Sequence, residues 1–275
     1  MTENIEFRWL GVAGIELNIS GQILAIDPLF TRPPLHRLLA GRVEPDTRMA
    51  REKMPHCDHI LVSHAHWDHL MDVPALAKQT GAAVYGSFNA CKLLSICDVP
   101  EKQINEVVAG SKLQLGKIKI SVFNAEHLKI PGFNSQPVSA HLKSPLRLRD
   151  YHMDHCYSFL IEIEQFSVLD WCGLLPDSAP QATVLCVGFF RNIAFFETLL
   201  ERVKPRLMIP LHWDNLFRPL SKPLQPFVKS PLGIFPSLQL MNPGKLNQVV
   251  HRIAPAVKVL SPEIFRTYDL HLLSK

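Results

Sequence analysis

The chain has no Cys-x-x-Cys pair, the close spacing on which thiolate zinc sites depend. Its six cysteines are spread over 275 residues, at Cys57, Cys91, Cys97, Cys156, Cys172 and Cys186. This spacing suggests neither a thiolate zinc site nor a disulfide framework. We therefore expect reduced thiols, most of them buried as small apolar groups.

Long apolar runs are absent as well. No uninterrupted apolar stretch reaches the length of a membrane span, about 20 residues. The start of the chain carries Glu3 and Glu6 and lacks the basic and then apolar regions of a signal peptide. These absences predict a cytoplasmic protein without a transmembrane segment, and they leave its oligomeric state open.

The chain also lacks a large excess of charge of one sign. The formal net charge is +4, and lysine and arginine are scattered along the chain. We therefore expect no nucleic-acid partner, whereas a small anionic substrate is compatible with this mild charge. The hydrophobic fraction of 47% is sufficient for a compact fold. Because no repeat or linker divides the chain, we expect one domain over residues 1–275.

The order of the apolar segments predicts the fold class. Short strands open the chain, strands and helices then alternate, and hairpins followed by a second alternation complete it. This order predicts an α/β protein in which two mixed sheets pack face to face with helices outside, an αββα sandwich.

Three segments lack a regular apolar period. A proline-rich one follows Asp27-Pro28 and is interpreted as a long loop. A second, about residues 128–157, is predicted to be a flap whose Arg147 and Arg149 could bind a phosphate or carboxylate. The alternative for this flap is a solvated basic loop. The third, about residues 217–243, contains six prolines and is predicted to be an irregular covering loop.

The most informative segment is Ser63-His64-Ala65-His66-Trp67-Asp68-His69, which directly follows an apolar, strand-like run. Alternate side chains of an extended segment point the same way, so His64 and His66 can reach one metal ion together. Asp68 and His69 follow as the chain turns into a helix, and they can hold a second ion. The alternative is a polar turn whose histidines hydrogen-bond only to the backbone.

Four ligands on one turn do not complete a two-metal site, so further ligands must come from other strand ends. His127 follows one predicted strand, Asp170 ends a second and His212 follows a third. Glu126 and Asp214, beside two of these candidates, could support the ligands from behind. Acids in such loops are more often simply solvated.

The ordered set of these residues resembles the metallo-β-lactamase superfamily, over the stretch from Gly11 to Asp214. Asp27, in Leu24-Ala25-Ile26-Asp27-Pro28, resembles the buried structural aspartate of that superfamily. His-Ala-His-Trp-Asp-His, together with the His-Trp-Asp phrase that begins at His212, is most similar to one branch. That branch contains ascorbate-6-phosphate lactonase and the N-acylphosphatidylethanolamine-hydrolysing phospholipase D.

The resemblance implies an αββα sandwich with a dinuclear metal site at one edge of its sheets. It implies a first metal held by His64, His66 and His127, a second held by Asp68, His69 and His212, and a bridging Asp170. The chain departs from the family at the last position, because bulky residues, Leu169 and Trp171, flank Asp170. Asp177 is the alternative ligand, and a single tightly bound metal is the alternative occupancy.

His66 bears on the identity of the metal. Diiron, oxygen-reducing relatives carry Glu at this position, whereas an imidazole suits zinc and hydrolysis. Mn²⁺ and Fe²⁺ remain open. Two divalent ions can lower the pKa of a shared water toward about 7, and the resulting metal-bound hydroxide is the expected nucleophile. Asp68 is the predicted catalytic residue, because it can orient that nucleophile or receive its proton.

We therefore predict a metal-dependent hydrolase, with two zinc ions, that acts on a small ester, lactone or phosphoester. One alternative is a lipid-directed phosphodiesterase of the phospholipase D type, with the apolar side chains between Phe217 and Phe235 as a membrane-facing lip. Another is a metal-binding regulatory protein without turnover. A nuclease of the ribonuclease Z type is disfavoured, because the chain has neither a basic exosite insertion nor an extra domain.

Overall fold

Two mixed sheets of seven strands each face one another in the computed structural model. The structure describes residues 3–38, 41–127, 137–139, 141–188, 193–226 and 243–275. The strands of the first sheet are β1 (Ile5–Gly11), β2 (Gly14–Ile19), β3 (Gln22–Ile26), β4 (His59–Leu61), β5 (Ala83–Gly86), β6 (Ile104–Glu106) and β14 (Thr267–Asp269). They lie in the order β14-β1-β2-β3-β4-β5-β6.

The second sheet repeats this plan. Its strands are β7 (Lys112–Leu115), β8 (Ile118–Ala125), β9 (Cys156–Ile163), β10 (Phe166–Trp171), β11 (Val184–Gly188), β12 (Leu207–Leu211) and β13 (Lys258–Val259). They lie in the order β13-β12-β11-β10-β9-β8-β7. In each sheet, hairpin-connected antiparallel strands join a run of parallel strands, which are β3 to β6 in the first sheet and β10 to β13 in the second.

Helices cover the outer face of each sheet. They are α1 (Thr47–Lys53), α2 (Trp67–Leu70), α3 (Val73–Thr80), α4 (Phe88–Ile96), α5 (Ile193–Val203) and α6 (Pro243–Ile253), whereas the short α7 (Leu270–Leu273) packs Leu270 into the layer between the sheets. The core beside the first sheet includes side chains of α1 to α4, and the core beside the second includes side chains of α5 and α6. The predicted αββα sandwich is therefore confirmed.

Side chains that point alternately to the two faces of each strand form three apolar layers. In β3, Leu24 and Ile26 enter the layer between the sheets, while Ala25 enters the outer layer under the helices. In β10, Val168 lies between the sheets and Leu169 lies under α5 and α6. Successive side chains of a strand point to opposite faces, so a strand covered on both faces has an apolar run rather than a polar alternation.

The sheet topology brings several polar strand ends to one edge of the sandwich. Strands β3 and β4 are parallel in the first sheet, as are β10, β11 and β12 in the second. The carboxyl ends of parallel strands meet at the same edge, which is where ligands bind in open α/β sheets. Asp27 follows β3, Ser63 follows β4 closely and His212 follows β12 at this edge.

Two predictions about secondary structure were wrong. The segment after Asp27-Pro28 is not all loop, since it contains α1, whose first turn is capped by Asp46 accepting from the Met49 N–H at 2.9 Å. This short helix has one buried residue, Ala50, so it leaves no apolar period to detect. The last strand predicted from the sequence spans Val257 to Leu260, but the chain continues beyond it, because β14 returns to pair with β1.

The two predicted loop segments are described only in part. Residues 128–136 and 140 of the flap lie outside the described residues, as do residues 227–242 of the covering loop. The described part of the flap buries Leu146, Leu148 and Tyr151 in the outer layer of the first sheet. Among the described helices, none is long and apolar enough to cross a membrane.

Candidate metal centre

The turn after β4 presents its ligands in two different backbone conformations. His66 is still extended, with φ −72° and ψ 155°, and α2 begins at the next residue. His64 and His66 therefore project together from extended backbone, whereas Asp68 and His69 project from the first helical turn. This difference in conformation sends the two pairs to adjacent but separate positions.

The first group of ligands contains three imidazoles from two elements. One ligand atom from each of His64, His66 and His127 lies within 4.8 Å of the others. The His64 Nε2 atom is buried and has no hydrogen-bond partner, whereas Nδ1 of the same ring lies 3.0 Å from Ser63 Oγ. A buried nitrogen of this kind among neighbouring imidazoles is what a metal ion would satisfy. These three residues therefore fit a divalent cation.

The second group combines a carboxylate with two imidazoles. Asp68, His69 and His212 each offer a ligand atom within 4.8 Å of the other two. Asp68 Oδ2 lies 3.6 Å from His69 Nε2 and 3.3 Å from His212 Nε2. Burial raises the pKa of Asp68, but the two imidazoles outweigh burial and hold it below its ordinary value. The carboxylate is therefore ionised, as a metal ligand must be.

Asp27 supports both groups from behind. The Ser63 N–H donates to Asp27 Oδ1 at 2.8 Å, the Ser63 hydroxyl donates to Oδ2, and His69 Nδ1 lies 2.6 Å from Oδ2. The bond to Nδ1 fixes the orientation of the His69 ring and leaves its Nε2 facing Asp68. The buried structural role that the family resemblance implies for Asp27 agrees with these contacts, since Asp27 is only 1% exposed.

Protonation differs between the two groups. Burial lowers the pKa of His69, but Asp27 and Asp68 outweigh it and raise the pKa to about 10. Burial, followed by repulsion from the neighbouring imidazoles, lowers the pKa of His64 well below its ordinary value. In the absence of metal at neutral pH, His69 therefore carries both ring protons and His64 is neutral.

Asp170 lies within β10, with its side chain buried. Burial, and then the nearby Asp27 and Cys172, raise the pKa of Asp170 well above its ordinary value. A nearby cation would favour the ionised form. The flanking Leu169 and Trp171 pack in the outer layer under α5 and α6, so their bulk lies on the opposite face of the strand. The assignment of Asp170 as a bridging ligand stays a prediction.

The other residues singled out from the sequence have varied settings. Asp177, the alternative to Asp170, is exposed in the short 3-10 turn Pro176–Ser178. Glu126 is exposed beside His127. Arg147 and Arg149 are exposed on either side of the buried Leu148, so their role as anion ligands stays a prediction.

Two buried charges support His212, namely Arg32, which was not identified from the sequence, and Asp214, which was named there as a possible supporting residue. Asp214, for which solvation was the favoured interpretation, is fully buried and lies 2.8 Å from Arg32. Its other oxygen accepts from the Val12 N–H at 2.9 Å, and the Val12 carbonyl accepts from the His212 N–H at 2.7 Å. These linked hydrogen bonds hold His212 in a left-handed conformation, with φ +59°. Gly11 leaves the space for the Arg32 guanidinium, where a Cβ atom would clash.

A third group was not suggested by any spacing in the sequence. Ligand atoms of His64, Cys156 and Cys172 lie within 4.8 Å of one another. The two cysteines are 16 residues apart and meet because β9 and β10 pair as a hairpin. Thiols therefore adjoin the imidazole cluster, although the chain has no Cys-x-x-Cys pair.

Known proteins resemble this chain in both sequence and fold. The profile of the family described as "Beta-lactamase superfamily domain" matches residues 23–169. A "UPF0173 metal-dependent hydrolase" of Myxococcus xanthus is 25% identical over 271 residues, which cover 94% of this chain and 81% of that protein. A protein of the same description from Carboxydothermus hydrogenoformans is 25% identical, covering 88% of this chain and 99% of that protein.

Solved structures share the fold as well. Igni18, a metallo hydrolase from Ignicoccus hospitalis, superposes with a TM-score of 0.62 at 16% identity and covers 96% of this chain and 97% of its own. At this level of identity the likeness concerns the fold alone. The comparisons do not test the narrower similarity to the lactonase and phospholipase D branch, which stays a prediction.

The Arg32–Asp214 ion pair should be needed for tight metal binding by the second ligand group. We expect Arg32→Met to weaken metal binding at Asp68, His69 and His212 by about tenfold to 100-fold, because supporting residues behind ligands have effects of this size. A Co²⁺ titration, monitored through the visible absorption of the bound ion, measures the metal affinity of both groups. Asp214→Asn, which keeps the shape of the side chain, should act in the same direction, and Arg149→Met is the exposed control. Equal losses at both groups would contradict this positioning role.

The pKa values predict different pH responses for the two groups. Metal binding at the second group must displace the Nε2 proton of His69, so its affinity should rise by up to about tenfold per pH unit between pH 7 and pH 9. Binding at the first group should change much less over the same range, because His64 is already neutral. Calorimetric Zn²⁺ titration in buffers of different ionisation enthalpy measures the protons released. Release that does not depend on which group is filled would count against this assignment.

Proposed function

Because the chain belongs to the β-lactamase superfamily, whose profile matches more than half of its length, we propose that it is a metal-dependent hydrolase with a dinuclear zinc centre. The proposed substrates are small esters, lactones or phosphoesters. The observation that carries the proposal is that two three-ligand groups lie side by side, each with two ligands from the turn after β4 and the third from another strand end, His127 or His212. Either group alone could hold one ion, and their adjacency supports a centre with two.

The donor set supports zinc and hydrolysis. Five imidazoles and one carboxylate make up the two groups, and imidazole ligands suit zinc well. When bound, two such ions supply an acidified water and positive charge for the oxygen on which charge develops. CmlA of Streptomyces venezuelae, a diiron β-hydroxylase, shares the fold with a TM-score of 0.61 at 13% identity. For this reason the fold alone does not select the metal, and His66 is the residue on which the choice of zinc rests.

The chain's own residues have separable tasks. Asp68 is ionised and its side chain is 15% exposed, so it can orient water at the centre or accept its proton. His212, with a side chain 20% exposed, and the half-buried His127 lie on the accessible side. Asp27 and Ser63 close the opposite side. Substrate therefore approaches past His127 and His212.

One contact weighs against the membrane-facing lip of the lipid-directed alternative. Phe217, at the start of the apolar segment predicted to face a membrane, packs against Trp67 with ring centroids 5.7 Å apart. It therefore covers the metal turn instead of projecting outward. Residues 227–235 of that segment lie outside the described residues. We propose a cytoplasmic location and a small, anionic partner, with Arg147 and Arg149 as candidate anion ligands.

Loss of ligands should abolish hydrolysis. We expect His66→Ala and Asp68→Asn to lower kcat/KM by at least about 100-fold on the best substrate in a panel of p-nitrophenyl esters, lactones and p-nitrophenyl phosphodiesters. Chelation should have the same effect, and added Zn²⁺ should restore the native protein only. His56→Ala, which alters an exposed histidine, is the matched control. Full loading of both groups with no turnover across the panel would favour the regulatory alternative.

Asp170 and Asp177 provide a second comparison. If Asp170 bridges the ions, Asp170→Ala should remove the second ion and most of the activity, whereas Asp177→Ala should leave both unchanged. Metal content measured by inductively coupled plasma mass spectrometry, together with kcat/KM, decides between them. Unchanged metal content in Asp170→Ala would exclude Asp170 from the centre.

A further inference from the structure

Two thiols lie together beside the metal centre and have no task in the proposed hydrolysis. The Cys156 thiol donates to the Cys172 sulfur at a distance of 3.3 Å. Cys156 is 3% exposed, whereas Cys172 is half-buried. A disulfide requires an S–S separation of about 2.05 Å, so the two sulfurs need to approach by little more than 1 Å.

The hairpin of β9 and β10 brings these cysteines together and keeps them together. Asp170 pairs with Phe159 across the hairpin, and just beyond this pair the Cys172 N–H donates to Ser158 Oγ at 2.9 Å. Cys156 is the first residue of β9, and Cys172 directly follows β10. The thiol contact therefore depends on the strand register and not on a chance contact between loops.

The pair is connected to the metal ligands on both sides. Cys156 Sγ lies 3.9 Å from Nδ1 of His64, the ring whose Nε2 has no partner. The next residue in the chain, Tyr157, donates its N–H to the Ser63 carbonyl at 2.8 Å. Cys172 follows Asp170 by two positions. A change in the distance between the two sulfurs would therefore strain both the turn after β4 and the end of β10.

We propose that Cys156 and Cys172 form a reversible disulfide when the protein meets a peroxide, and that this oxidation weakens metal binding by the His64 group. The first half of the proposal concerns the protein whether or not it is a hydrolase. The second half rests on the proposed metal centre. In a reducing compartment such a bond would be transient, as is usual for redox-sensing pairs.

The chemistry balances with hydrogen peroxide as the oxidant. The more accessible Cys172 sulfur attacks one peroxide oxygen, the O–O bond breaks, and Cys172 becomes a sulfenic acid as one water leaves. The Cys156 sulfur then attacks the Cys172 sulfur, the S–O bond breaks, and a second water leaves as the S–S bond forms. Two thiols lose two hydrogens and two electrons in all, and one peroxide becomes two waters. A dithiol reductant reverses the change by thiol–disulfide exchange.

The coupling to metal must be reciprocal. If the disulfide lowers the affinity for a metal ion by a given factor, the bound ion opposes disulfide formation by the same factor. We expect a factor of about ten, within the usual range for coupling between adjacent sites.

The test begins with the metal-free full chain and one equivalent of hydrogen peroxide. No lysine or arginine lies between Cys156 and Cys172, so trypsin cannot separate them, whereas cleavage after Glu162 or Glu164 can. We expect mass spectrometry to find the two resulting peptides joined, and to find them separate after reduction. Removal of peroxide by gel filtration and titration with Zn²⁺ should then show affinity about tenfold below that of the reduced protein.

The controls compare treated with untreated protein for each variant. Cys156→Ala and Cys172→Ala should each keep their own metal affinity after peroxide, whereas Cys91→Ala should respond like the parent protein. Absence of the joined peptides would overturn the disulfide, and joined peptides with unchanged Zn²⁺ affinity would overturn the coupling. Neither measurement uses hydrolysis, so a lack of turnover would bear on the proposed function and leave this result intact.

Discussion

The buried carboxylate of Asp27 is the interaction on which the metal centre depends. Asp27 lies directly after β3 in a left-handed conformation, with φ +46°. Its carboxylate accepts hydrogen bonds from the N–H and the hydroxyl of Ser63 and contacts Nδ1 of His69. A carboxylate without such partners would be costly to bury. The same contacts therefore stabilise Asp27 and orient the turn that carries four of the six residues in the two ligand groups.

Two further buried aspartates extend this arrangement. Asp72 accepts from the N–H groups of Phe30 and Thr31 at 2.5 and 2.7 Å, and so ties the start of α3 to the chain that leaves Asp27. Asp214, paired with Arg32, ties the end of β12 to the same segment. Each carboxylate accepts backbone donors from a distant part of the chain. As a result, the ligand turns are held by buried polar contacts in addition to apolar packing.

Without metal, both His69 and Asp170 favour their protonated forms. His69 holds an extra proton because Asp27 and Asp68 outweigh burial, while burial and nearby acidic groups favour the protonated form of Asp170. Cations at the two ligand groups would relieve both conditions, because they replace the proton on the imidazole and stabilise the carboxylate. The Cys156 and Cys172 thiols lie beside this region. A small displacement of the two sulfurs would therefore also move their neighbours His64 and Asp170.

The features that could be predicted from the sequence are those that depend on local geometry. The alternation of His64 and His66, the turn into Asp68 and His69, and the apolar runs of the strands are all set by neighbours along the chain, and the sandwich followed from their order. The short helix α1 and the pairing of β14 with β1 were missed, because neither leaves an apolar period. Three features could be seen only in the folded protein: Asp214 is buried against Arg32, Leu169 and Trp171 point away from the site, and two cysteines meet across a hairpin. Those contacts join residues far apart in the chain, and strand register and burial, which no local spacing encodes, bring them together.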